Sequence, residues 1–177
     1  MFTNNFNKLM RSMLQQHYNS LYTISGSTTY VDPYGQYFNA SYCGRPIDRF
    51  RYAYCKASPT YGVYFGTDST PTKQSDYKLG SVITTGLSIT NPTSVTRNED
   101  SVTGVVTYSA VYIVKNSSSE EITIAEIGWY TDVTDGSSSK AHYVMLDRTV
   151  LDEPIVIPAG ETKYVVYDLK FSLTSLL

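Results

Sequence analysis

Two histidines, His17 and His142, and two cysteines, Cys43 and Cys55, are the whole imidazole and thiol inventory of the chain. The histidines are too far apart for an H-x-H pair or an H-E-x-x-H helix face, where local spacing brings two ligands to one ion. The cysteines lack C-x-x-C spacing and form no disulfide framework, so reduced, half-buried thiols are expected. There is no G-x-S-x-G elbow and no phosphate-cradling glycine loop. Carboxylates remain. Asp132 and Asp135 fall in a stretch where calcium would need several more oxygens, and a solvated loop is the simpler reading. Glu126 and Asp147 would be the pair to test for glycoside cleavage, but no local pattern argues for it. Glu126 and Arg148 suggest something else. Each lies inside an apolar run, and a buried charge is tolerated only when paired. The expectation is that they meet across strands and fix register. The chain is therefore expected to be no enzyme, with no catalytic residue, no metal and no cofactor.

Contact chemistry is better represented than catalytic chemistry. The 177 residues include 17 Tyr, 6 Phe and 1 Trp, while charged residues make up only 17%. Tyrosine gives a large contact area with two torsions to fix, plus a hydroxyl suited to wet interfaces. Eight tyrosines fall between Tyr30 and Tyr64, interleaved with Arg45, Arg49, Arg51 and Lys56. Interleaved bases and aromatics can bind single-stranded nucleic acid. The net charge of −2 argues against free nucleic acid as the main partner, because phosphate neutralisation needs a basic excess. Aromatic and Arg residues are favoured at protein interfaces. Tyr34, Tyr37, Phe38, Tyr42, Arg49 and Arg51 are thus the interface candidates in this segment. An exposed Tyr platform, or Trp129, would instead suit a carbohydrate-binding or receptor-adhesion module.

The elements that must position these residues are mostly strands. Residues 3–18 alone read as a helix, with Thr3 or Asn4 as cap and Phe6, Leu9, Met10, Met13 and Leu14 on one face. That face is a second interface candidate: it would close one end of the fold or reach a neighbouring subunit. Residues 20–45 read as loop, 50–56 and 62–65 as strands, and 66–80 as a polar loop. Residues 81–90 read as an interrupted strand and 91–101 as a turn-rich polar stretch. Val102–Lys115 alternates with period two, and so does Lys163–Phe171, which places Val165, Tyr167, Leu169 and Phe171 on one face. Ile122 and Ile124 are out of phase with Ile127 and Trp129, and a bulge near Ala125-Glu126 would restore one buried face. Residues 143–150 and 155–157 add two strands, with Pro158-Ala159-Gly160 as a tight turn. This pattern predicts a mainly β protein. Its expected form is an antiparallel, jelly-roll-like β-sandwich with one N-terminal helix. An N-terminal arm at 1–20 would precede a single domain at 21–177, with a Tyr-rich loop region at 30–64. No apolar run approaches the ~20 residues of a membrane span, and the first residues do not read as a secretory signal.

G-V-Y-F-G-T-D-S-T-P-T-K-Q-S-D-Y-K-L-G (Gly62–Gly80) resembles an element of small accessory virion proteins of tailed bacteriophages. There, a glycine-bounded strand is followed by a T-x-P-T loop and D-Y-x-L. The later runs I-T-I-A-E-I-G-W-Y, M-L-D-R-T-V and I-V-I-P-A-G-E-T-K-Y-V-V-Y-D-L-K-F resemble the C-terminal half of the same proteins. The resemblance spans residues 62–171. It implies a structural subunit located in the virion, assembled in the host bacterial cytoplasm. Its implied partners are capsid, portal, neck or tail proteins and further copies of itself, with no membrane. It brings no catalytic residues with it.

Overall fold

Alternation along one long strand organises half of the molecule. In Val105–Asn116 the residues Val106, Ala110, Tyr112 and Val114 are buried, while Thr107, Ser109, Val111 and Ile113 are half-buried on the opposite face. A computed structural model describes residues 1–8, 28–40, 62–90, 92–134 and 141–172. Its strands are β1 (Thr28–Val31), β2 (Tyr37–Ala40), β3 (Gly62–Gly66), β4 (Leu87–Ile89), β5 (Ser94–Asp100), β6 (Val105–Asn116), β7 (Ile122–Thr134), β8 (Ala141–Ile157) and β9 (Thr162–Ser172). The protein is mainly β, and the strand pairings are antiparallel.

Three sheets form. The strands β1 and β2 make a hairpin, β3-β7-β8 a second sheet, and β4, β5, β6 and β9 a third. In the third sheet β9 lines one edge of β6 along its length, while β4 and β5 follow one another along the other edge. Backbone bonds from Thr90 N–H to Ile113 O and from Thr93 N–H to Val111 O join them past Asn91-Pro92. The β5 stretch reads as a turn in the sequence because its side chains are all exposed. An edge strand needs only backbone pairing, so it carries no hydrophobic period.

The phase break in β7 takes the predicted form. Register shifts between Ile124 and Glu126, and Ile124, Ile127 and Trp129 all enter one core cluster. Opposite Ala125, residues 151–154 of β8 bulge outward, because Glu126 pairs with Val150 and Ile124 with Ile155. This makes β8 a single 17-residue strand, not the two predicted, and gives Pro154 the bulge position that proline tolerates. The core joins Val63, Phe65, Ile127, Trp129 and Leu146 of the second sheet to Ala110, Tyr112, Val165 and Tyr167 of the third.

The start of the chain closes this core. Residues 4–8 are helical, with Thr3 Oγ1 accepting the Phe6 N–H at 3.4 Å as the cap. The rest of the predicted helix lies outside the described residues. Phe6 stacks on Phe2 at 3.9 Å between ring centroids, and both rings meet Phe171. Phe2 bridges Asp147, and Thr3 N–H donates to Leu146 O, so the first residues pair along the outer edge of β8.

Candidate functional site

Residues 81–83 pair along the edge of β3, and residues 67–80, within the polar stretch read as a loop, lie on the face of the second sheet that is turned away from the core. One side chain holds them there. Arg148 on β8 donates from Nε to Glu126 Oε2 at 2.7 Å, from Nη1 to Asp76 Oδ2 at 3.0 Å and from Nη2 to Asp68 Oδ2 at 2.8 Å. The sequence-predicted pair of Glu126 and Arg148 is thus brought together, and two loop aspartates join it. Glu126 is fully buried and also accepts the Gly80 N–H at 3.1 Å and the Ser81 N–H at 2.9 Å. Burial opposes the charge on Arg148, but its hydrogen bonds to Glu126 and Asp76 outweigh that, so its pKa is raised. The three planar nitrogens each reach a different carboxylate, which a lysine ammonium on a flexible stem would not reproduce.

Close approach sets the residue at position 66. A Cβ on Gly66 would lie 2.5 Å from Ser81 O and would also strike the Glu126 side chain. The loop is sealed further by Leu79, which is buried against Tyr130, Met145 and Tyr64. Tyr130 OH accepts the Leu79 N–H at 2.9 Å, and its ring meets Tyr64 edge-on at 5.1 Å. Burial raises the pKa of both phenols, that of Tyr64 to about 12, so both stay neutral at physiological pH. These groups supply structure with no sign of poised acid or base.

The latched loop lies beside the turn of the β1–β2 hairpin. Gly35, at φ 79°, occupies the left-handed position of the turn, and its Cα faces the Tyr77 ring. Asp32 is buried and organises this turn. Its Oδ1 accepts the Tyr34 N–H at 2.9 Å and the Gln36 N–H at 2.8 Å, while Oδ2 lies 3.8 Å from His142 Nδ1. Asn5 clamps the strand base, donating from Nδ2 to Val31 O at 2.8 Å and accepting the Val31 N–H at 3.2 Å. Tyr30 is fully buried in the core. From this anchored turn Tyr34 and Tyr37 stand 87% and 76% exposed. Large aromatics so exposed beside a fixed turn would lose little side-chain freedom if buried in a contact.

The remaining predicted site residues are placed as follows. Phe6 is not offered to a partner, because it is buried in its own chain's core. Trp129 is fully buried and cannot serve as a sugar platform. Glu126 and Asp147 face opposite sides of the sheet. Asp147 Oδ2 accepts Tyr167 OH at 2.6 Å and Thr149 Oγ1 at 2.8 Å, and Oδ1 lies 3.1 Å from the Met1 ammonium. Asp147 thus ties β8 to β9 and the chain start, and it forms no acid pair with Glu126. Phe38 lies on β2, but its side chain is outside the described set. Leu9, Met10, Met13, Tyr42, Arg49, Arg51, Cys43, Cys55, His17 and Asp135 also lie outside the described residues. Among the described residues no group of His, Cys, Asp and Glu side chains is placed to hold a metal ion, and no helix is long and apolar enough to cross a membrane.

The sequence did not reveal Asp68, Asp76 or Asp32 as organisers. All three lie in polar, turn-rich segments where an aspartate needs no special explanation. The available signal was D-P-Y-G, an Asx-type turn followed by glycine, which marks a hairpin as readily as a loop. No protein-family model, curated protein or solved structure matches the chain.

Proposed function

We propose that this chain is a non-enzymatic structural subunit of a tailed-phage virion. In this reading the second and third sheets pack as a jelly-roll-like sandwich, and the β1–β2 hairpin docks on capsid, neck or tail proteins. The observation that carries the docking role is the pair Tyr34 and Tyr37, exposed on a turn fixed by Asp32, Asn5 and the latched loop. The virion assignment rests on the sequence resemblance. Some of the residues that carry it meet at one place: Asp76 and Leu79 from D-Y-K-L, Glu126 from E-I-G, and Arg148 from M-L-D-R, while the P-A-G turn and β9 lie elsewhere. A pattern whose parts converge on one latch describes how a fold is held, so it speaks for shared architecture more than for shared chemistry.

Function then follows from geometry. A rigid frame presents aromatic contacts at fixed spacing, and symmetry turns repeated contacts into rings or lattices. Mass spectrometry of particles purified through density gradients tests the location. The chain should co-purify at a fixed ratio to a major capsid or tail protein. A high ratio places it on the capsid and a low one at neck or tail. Its absence from washed particles contradicts the assignment.

A further inference from the structure

A short segment at the chain start ties several parts of the fold together. Residues 1–3 add to the outer edge of β8. Thr3 N–H donates to Leu146 O at 2.9 Å, Arg148 N–H donates to Met1 O at 3.2 Å, and Phe2 bridges Asp147. Thr3 Oγ1 strengthens this register by donating to Met145 O at 2.7 Å. The Phe2 ring meets Phe171 at 4.9 Å, which brings in β9. Asn4 N–H donates to Gln74 O at 2.7 Å in the latched loop. Asn5 is buried and reaches β1 instead. Its carboxamide takes both backbone groups of Val31, donating to the carbonyl at 2.8 Å and accepting the N–H at 3.2 Å. A side chain used in this way stands in for a neighbouring strand at one residue.

Val31 is the residue opposite Tyr37 in the β1–β2 register. Both of its backbone groups go to Asn5, so they point away from β2, and Val31 with Tyr37 is a non-hydrogen-bonded pair of the ladder. Asp32 organises the turn that follows, through the Tyr34 and Gln36 N–H groups. The hairpin thus has two buried polar organisers, one in its own turn and one supplied by the chain start. We infer that residues 1–8 are a positioning element for the tyrosine hairpin, with Asn5 passing their docking on β8 to Val31 and the Tyr37 opposite it. Tyr30 is buried in the core, so undocking loosens the hairpin without releasing β1. Docking and hairpin order are then linked equilibria. A partner that binds only the ordered tyrosines also tightens residues 1–8 on β8. The inference rests on the reading of Tyr34 and Tyr37 as docking groups and adds what controls their order. It is decided on the isolated chain, whereas that reading depends on particle composition.

Residue-resolved amide hydrogen exchange of the purified full chain tests it. Asn5→Ala removes two hydrogen bonds and should speed exchange at Val31 by about tenfold, with Tyr34 and Gln36 following to a smaller degree. Phe2→Ala is the sharper variant, because the Phe2 ring meets Phe6 and Phe171 and works from the β8 side of the segment. It should free the Thr3 amide and speed Val31, Tyr34 and Gln36 together, while amides of the β6–β9 ladder change by less than about twofold. Phe2→Leu keeps an apolar anchor and should restore most of the protection. If Phe2→Ala unfolds the whole chain, Thr3→Val removes only the hydroxyl bonds to β8 and the cap, and is read in the same way. Wild-type protection of the hairpin amides in Phe2→Ala and Thr3→Val overturns the inference. So does acceleration there no greater than in the β6–β9 ladder. Either result leaves the docking role of the tyrosines untouched, since particle composition decides that.

Discussion

The second sheet is covered on both faces and the third on one. Residues 124–130 of β7 are buried at every position, whereas in β9 only alternate residues are. The difference comes from the loop at 67–80. On one side Leu79 and the Arg148 cluster lie over the sheet; on the other, Tyr164 and Val166 meet solvent. A sheet closed by a latch gains stability and offers no surface. A sheet left open offers a surface and relies on the shared core for stability. The Tyr34–Tyr37 hairpin lies beside the latched loop.

The largest expected effect comes from removing the latch. Arg148→Ala leaves Glu126 fully buried without its cation and frees both loop aspartates. Loss of one partner of a buried pair costs about 3–5 kcal/mol. Chemical denaturation should show this, together with faster proteolysis within 67–83. A loss below about 1 kcal/mol would mean that the latch is not what closes the second sheet. Leu79→Ala comes next. It opens a cavity between the loop and Tyr130, at about 2–4 kcal/mol by the same measurement.

Acid should weaken both sheets to a smaller degree. The Asp68 pKa is held below the usual 3.8, first by the Thr70 hydroxyl and N–H and then by Arg148. In the third sheet the Asp100 pKa is held below 3.8 by Thr103 and Val102. A lowered folded-state pKa means that the charged form favours folding. That stabilisation is complete above the unfolded value and disappears as pH falls through the folded one. Unfolding followed against pH should therefore show these two groups contributing fully and without pH dependence near neutrality, and a decline below about pH 4. Asp68→Asn and Asp100→Asn should each flatten the decline. An acid limb identical to wild type in both variants would remove these carboxylates from the explanation.

The two regions also differed in how far their sequences disclosed them. β6 and β9 were legible because each has one wet and one dry face, which writes a period of two into the residues. The phase break in β7 was legible as a break in that period, though the extra residues that answer it lie in β8, and Glu126 with Arg148 as charges out of place in apolar runs. The latch as a whole was not legible. Asp68 and Asp76 join Arg148 across 80 and 72 residues, from a segment with the composition of an ordinary loop. β5 was hidden because an edge strand exposed on both faces has no hydrophobic pattern to read. The hairpin was hidden because four-residue strands around D-P-Y-G give the alternation no length in which to appear. Trp129 was legible as a core residue through that same phase break, and its full burial removes only the sugar-platform alternative.

The smallest effect on stability belongs to the hairpin tip. Tyr34→Ala with Tyr37→Ala removes two exposed rings and leaves the Asp32 turn intact, so unfolding should change by no more than about 0.5 kcal/mol per site. That makes the double variant the cleanest probe of the docking role. Its copy number in purified particles, measured beside wild type by quantitative mass spectrometry, is the decisive quantity. The folded double variant should be lost from particles in which wild type is retained. Incorporation at the wild-type ratio would contradict the claim that this chain docks through its tyrosine hairpin.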